Sequence, residues 1–199
     1  MSLSNQDVSL ISDAGFLLAK VEVMSKINSL MEDTRSSLKA QITTSDFVFP
    51  VDLNLNSGKI SKGEYYRNLP YFVLDYPALF GKHDILAFRT MFWWGNFFSA
   101  TLHLQGSHLE ERRQTLIKNI HSLLDRQLYI CVGDTPWEYQ YEPDNYQLLN
   151  VEHTQHIRSS QFLKLSAKTP LTEWKTLPKF SSDTLSLFLS VLQEPIDHQ

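Results

Sequence analysis

The chain has a single cysteine, Cys131, and so forms no internal disulfide, which fits a reducing compartment. With only seven glycines and eight prolines in 199 residues, it has no flexible or Pro-rich linker, low-complexity tract or internal repeat. An excess of charge of one sign is also missing. Lys and Arg number 18 against 22 Asp and Glu, a net charge of −4, and the cations are scattered. A nucleic-acid partner requires a basic patch, and a membrane surface requires a polybasic cluster or basic amphipathic helix. Neither partner is expected. No apolar run approaches the ~18 residues of a membrane span, and no Asn-x-Ser/Thr acceptor occurs. The first residues lack a basic stretch followed by an apolar one, the mark of a secretory leader. A cytoplasmic protein is therefore expected. Phosphate-binding glycine loops, a G-x-S-x-G elbow and the kinase signatures are missing as well, so no catalytic motif stands out and no cofactor is expected.

What the chain does have is aromatic side chains, and half of them fall between Tyr65 and Phe98. Aromatics bury the most area per residue and dominate cores and interfaces. The centre reads Phe88-Arg89-Thr90-Met91-Phe92-Trp93-Trp94-Gly95-Asn96-Phe97-Phe98, two β-favouring runs around a Gly-Asn pair, which predicts a hairpin. The register follows from parity, because a slip of one residue exchanges the two faces. A two-residue loop would mix polar and apolar groups on both faces. An odd loop or a glycine bulge pairs even positions with even ones. Leu86, Phe88, Phe92, Trp94, Phe98, Ala100, Leu102 and Leu104 then form one apolar face, and this register is preferred. The opposite face carries Arg89, Met91, Trp93, Phe97, Ser99, Thr101 and His103.

Around the hairpin, apolar residues recur at three- and four-residue spacing from Phe16 through Val23, Ile27, Leu30, Met31 and Leu38 to Ile42. This predicts a long helix over roughly 12–41. Leu17, Val21 and Met24 widen its first half, which is expected to be the more deeply buried end. Alternation from Val51 to Leu55, a turn at Asn56–Lys59 and a return strand from Ile60 predict a small hairpin, followed by a strand at Tyr71–Leu74 and a connection from Pro77. Ser107 and Glu110 form a capping-box pattern before a helix over 109–127. Tyr129–Val132 and the alternating Trp137, Tyr139 and Tyr141 predict strands, 150–161 a polar loop or edge, and Phe162–Leu165 the last strand. A helix from Asp183 to Gln193 is expected to stop at Pro195. The whole predicts a single globular α+β domain over 1–199. Its mainly antiparallel sheet has the aromatic-rich hairpin at its centre and packs against two or three helices, including the long N-terminal one.

Two stretches resemble metal sites. Asp52 to Glu64 is similar to an EF-hand loop with one residue inserted, although Pro50 opposes an entering helix and a hairpin explains the same alternation. His153 and His156 stand three apart, but no helix pattern or further ligand accompanies them. No metal is expected at either. Cys131, in Leu128-Tyr129-Ile130-Cys131-Val132, is expected to be a buried small hydrophobe.

The functional expectation is a non-enzymatic binding or interaction module. Arg89, Trp93, Phe97, Ser99, Thr101 and His103 would line a site for a small anionic or planar ligand. Arg89 would hold the anion while Trp93 or Phe97 stacks. Against it stands a purely structural reading, in which a helix covers this face and Arg89 pairs with Asp75 or Asp84. A second expectation is a small enzyme using His103 as acid or base with Arg89 as anion anchor. A third is a homodimer or larger homo-oligomer associating through the long N-terminal helix.

Overall fold

The computed structural model describes residues 2–193. Helices α1 (Asn5–Ser12) and α2 (Ala14–Thr43) come first, separated at Asp13, whose Oδ1 accepts the Gly15 N–H at 2.8 Å and so starts α2. Strands β1 (Lys59–Tyr66), β2 (Leu69–Phe80), β3 (Ile85–Trp93) and β4 (Phe97–Gln105) form a meander, followed by α3 (Ser107–Asn119). Then come β5 (Tyr129–Cys131), β6 (Tyr146–Leu148), α4 (His153–Ser159), β7 (Phe162–Pro170) and α5 (Leu177–Val191). The strands make one seven-stranded antiparallel sheet in the order β1-β2-β3-β4-β7-β5-β6. The expected α+β architecture is the observed one.

The hairpin adopts the register that parity demanded: Phe92 faces Phe98, Phe88 faces Leu102 and Leu86 faces Leu104. Three residues, Trp94, Gly95 and Asn96, make the turn, and Gly95 takes φ of +71°, a left-handed conformation that costs glycine little. The even face is buried under α2, α3 and α5. Phe88 meets Phe188 of α5 edge-to-face at 6.5 Å. Thr90, the one polar residue on that face of β3, bonds the Ser181 hydroxyl of α5 at 3.1 Å.

Several local expectations change. The first half of α2 is not the buried end: Met31, Thr34, Leu38 and Ile42 are buried, whereas Phe16, Leu17, Leu18 and Val21 are exposed. The apolar stripe continues along the helix, but there the helix stands off from β1 and leaves an open groove between them. Residues 51–55 form turns, with Leu53 buried, and β1 pairs with β2 instead of with them. β2 runs on past Pro77, its register with β3 shifting between Asp75 and Ala78. α3 has no capping box. Its N-cap is Gly106, and Asp84 from the β2–β3 side accepts the Ser107 N–H at 2.6 Å. Gly106 sits at φ +63°, and a Cβ there would meet Asp84 Oδ1 at 2.4 Å, so this close approach requires glycine. α3 ends at Asn119 and passes into a 3₁₀ turn over Ile120–Leu123. α5 begins at Leu177, six residues before the expected start, and Pro195 lies outside the described residues. Residues 153–159 are helical, not loop. No helix among the described residues is long and apolar enough to cross a membrane.

Phe88 is 1% exposed and central to this core. Phe88→Ala should therefore lower the unfolding free energy by about 3–5 kcal/mol in guanidinium denaturation. Tyr65→Ala, at an exposed position, should change it by less than ~0.5 kcal/mol.

Candidate functional site

The second face of the sheet carries an unusual set of groups. Antiparallel pairing lines up Asp75 with Arg89, Arg89 with Thr101, Thr101 with Ser166 and His103 with Lys164. A charged or polar row thus crosses β2, β3, β4 and β7, with Val73, Met91 and Trp93 beside it. Such a row cannot be closed by apolar helices without leaving charges unpaired. The chain closes it with the segment linking β5 to β6, residues 132–145, which crosses the sheet as an irregular strap. The expected strand at Trp137–Tyr141 is this strap, and the cover is not a helix.

The strap is fastened at four points. The Tyr66 hydroxyl accepts the N–H groups of Tyr139 and Gln140 at 2.6 and 3.1 Å. Its own proton lies between Gln140 Oε1 at 2.6 Å and Glu138 Oε2 at 3.0 Å. Lys164 Nζ donates to the carbonyls of Pro136 and Glu138 at 2.7 and 2.6 Å, over the Tyr139 ring at 4.1 Å. Tyr141 reaches Ser166, which in turn bonds Thr101 at 2.7 Å. Arg89 donates to the Tyr139 hydroxyl. Trp93 packs edge-to-face on Tyr66 at 5.1 Å and on Phe97 at 5.5 Å, closing the hydrophobic end.

Arg89 makes a bidentate pair with Asp75, Nε to Oδ1 at 2.6 Å and Nη2 to Oδ2 at 2.8 Å. Of the two carboxylates considered for this arginine, Asp75 is the partner and Asp84 caps α3. Burial works against the guanidinium charge, but Asp75 together with Tyr139 and Tyr71 outweighs it and the pKa is raised. Lys164 is 1% exposed and touches carbonyls and rings rather than a carboxylate. Burial lowers its pKa to about 7, only partly offset by Cys131 and Glu138. Burial, aided by the Lys164 ammonium, lowers His103 to about 3, so its ring is neutral around pH 7. Its Nε2 completes no hydrogen bond, although Gln105 pulls the pKa slightly upward.

The structure thus divides the expected site. Arg89, Thr101 and His103 meet at one small cavity with Asp75, Tyr139 and Lys164. That cavity, about 10 Å³, has room for a single water. Trp93 and Ser99 are buried, and Phe97 is half-buried against Trp93 and Tyr141. Sequence reasoning missed Lys164 and Tyr139. Outside the strap, a larger crevice of about 670 Å³ lies against Asp75 and Arg89, lined by Lys59, Phe80 and Trp137.

The metal-like stretches have other partners. Glu64 pairs with Lys20 of α2 at 2.5 Å, and Asn54 Oδ1 accepts the Asn56 N–H at 2.9 Å. His153 Nδ1 accepts the Asn150 N–H at 3.1 Å, and His156 Nε2 lies 3.0 Å from the Cys131 carbonyl. Among the described residues no cluster of three or more His, Cys, Asp or Glu side chains could hold a metal ion. Cys131 is buried, and burial raises its pKa.

Arg89→Ala leaves Asp75 buried without its partner and should cost about 3–5 kcal/mol of stability in chemical denaturation. In the unfolded chain Lys164 titrates near 10.5, against about 7 when folded. Between those values the unfolded chain holds a proton that the folded one lacks, so stability rises with pH across that window. Lys164→Met should flatten this rise in urea denaturation at a series of pH values. His103, near 6.5 when unfolded and about 3 when folded, makes stability fall as pH drops between those values.

Compared with models of known protein families, with curated proteins and with solved structures, the chain matches none.

Proposed function

We propose that the protein is a non-enzymatic interaction module that pairs with a second copy of itself through its N-terminal helical arm, α1 and the first half of α2. One observation carries this reading. Nine large apolar residues between Leu3 and Val23 are exposed, among them Ile11 at 72%, Leu18 at 69% and Val21 at 68%. Soluble monomers rarely leave so dense a patch in water.

The stripe that buries Met24, Met31, Leu38 and Ile42 against the domain continues towards the N-terminus as Phe16, Leu17 and Val21, which are exposed. Beside it, a groove of about 640 Å³ runs between α2 and β1, with Leu17, Val21, Met24, Ile60 and Phe72 on its walls. Full burial of such a side chain removes on the order of 60–100 Å² of apolar surface. Nine of them therefore supply roughly 500–900 Å², close to the ~800 Å² per partner of a standard interface.

Charge favours a second copy as the occupant. The arm carries Asp7, Asp13 and Glu22 against Lys20 and Lys26, and two of these pair within it, Lys26 with Glu22 at 2.5 Å. A nearly neutral apolar arm does not repel its own image across a two-fold axis, and two-fold pairing is the commonest way to close such a surface. With only two cations the arm lacks the basic face that an anionic membrane surface selects.

The geometry gives catalysis less support. His103 is buried and neutral, with no carboxylate to orient it, and the Arg89 fork is filled by Asp75 and Tyr139.

Sedimentation equilibrium should give a species of twice the 23.1 kDa chain mass. Leu17→Asp with Val21→Asp should give a folded monomer with unchanged far-ultraviolet circular dichroism. A wild-type protein that stays monomeric at high micromolar concentration would contradict the reading.

A further inference from the structure

We propose that the crevice between the turn at 57–59 and Trp137 binds a small planar carboxylate. The crevice lies outside the strap, on the opposite face of β1 and β2 from the arm's groove, so it stands independently of self-association. Its volume, about 670 Å³, is in the range of small-molecule sites.

Its walls are of two kinds. Trp137, from the strap, and Phe80, from the end of β2, are 52% and 46% exposed and both line it. A strap tied to the sheet by Lys164 through the carbonyls on either side of Trp137 presents that indole at low entropic cost. Two exposed aromatic surfaces lining one crevice favour a flat apolar ligand.

The other wall is positive. Lys59 lines the crevice and makes no ion pair among the described residues, although its backbone stands opposite Asp75 in the β1–β2 ladder. Asp75 is committed to Arg89 through both oxygens. Behind that pair Lys164 has no carboxylate contact. Among the residues that line the crevice, two cations, Lys59 and Arg89, stand against one carboxylate, Asp75, in a protein whose net charge is −4. The local excess is positive where the chain as a whole is negative, and a monoanion complements it.

Arg89 therefore has a different part from that of a direct anion clamp. Its fork is occupied, and it keeps Asp75 from repelling the ligand. The carboxylate is held by Lys59 at the mouth, and the ring lies between Trp137 and Phe80.

Titration calorimetry of the full chain with 2-naphthoate and with its neutral amide, 2-naphthamide, tests this. Saturable naphthoate binding is expected, weakened roughly tenfold by Trp137→Ala and roughly threefold by Lys59→Gln. The amide should bind wild-type protein as weakly as naphthoate binds Lys59→Gln. Both substitutions are at exposed positions, and circular dichroism verifies that each variant is folded. No saturable binding into the millimolar range would overturn the proposal. So would equal affinity for acid and amide, or affinity indifferent to both substitutions.

Discussion

Two cations on the inner side of a sheet, Arg89 and Lys164, set the terms for the rest of this structure. A buried ammonium or guanidinium must find oxygen atoms or aromatic faces, because removal from water costs several kcal/mol per ion. Asp75 serves Arg89 from the neighbouring strand. Lys164 has no such neighbour and takes two carbonyls from the 132–145 strap instead. Backbone carbonyls are most readily available for this in a segment that is not committed to a ladder. The irregular strap supplies Lys164 with both of its carbonyl acceptors.

The two faces of the sheet thus follow different rules. Under α2, α3 and α5 the interior is apolar but for a few hydroxyl contacts such as Thr90 to Ser181 and Tyr76 to the Leu55 carbonyl, and its stability is a matter of packing. Under the strap, tyrosines do most of the joining. Tyr66, Tyr139 and Tyr141 each place a hydroxyl where a polar group would otherwise be unsatisfied, and burial raises their pKa to about 12 or beyond. They remain neutral donors and acceptors over the whole physiological range. Three of the chain's eight tyrosines are used in this way.

The hairpin register was readable because parity leaves one arrangement in which Phe88, Phe92, Phe98 and Leu102 agree. The long helix was readable from its spacing, since periodicity reports which side of a helix is apolar. Periodicity says nothing of what lies opposite, and the exposure of Phe16, Leu17 and Val21 was therefore invisible. The strap was misread as a strand because Trp137, Tyr139 and Tyr141 alternate with polar residues. The same alternation arises when a segment lies flat on a sheet and is held by side chains. Lys164 was passed over inside a short apolar run, Phe162 to Leu165, although it shares parity with Ser166 and Lys168. That parity placed it on the polar face beside His103. The α3 cap was out of reach for another reason: Asp84 acts across the fold, and no local pattern carries that information.

Closure of the second face by a tightly held strap is the claim on which the placement of the ligand crevice and the burial of Arg89 and Lys164 both depend. Hydrogen exchange at the Tyr139 and Gln140 amides measures it most directly, because both donate to the Tyr66 hydroxyl. They should exchange as slowly as the central strands β3 and β4, and Tyr66→Phe should release them selectively. Exchange of these two amides at the rate of an open loop in the wild-type protein would contradict the account.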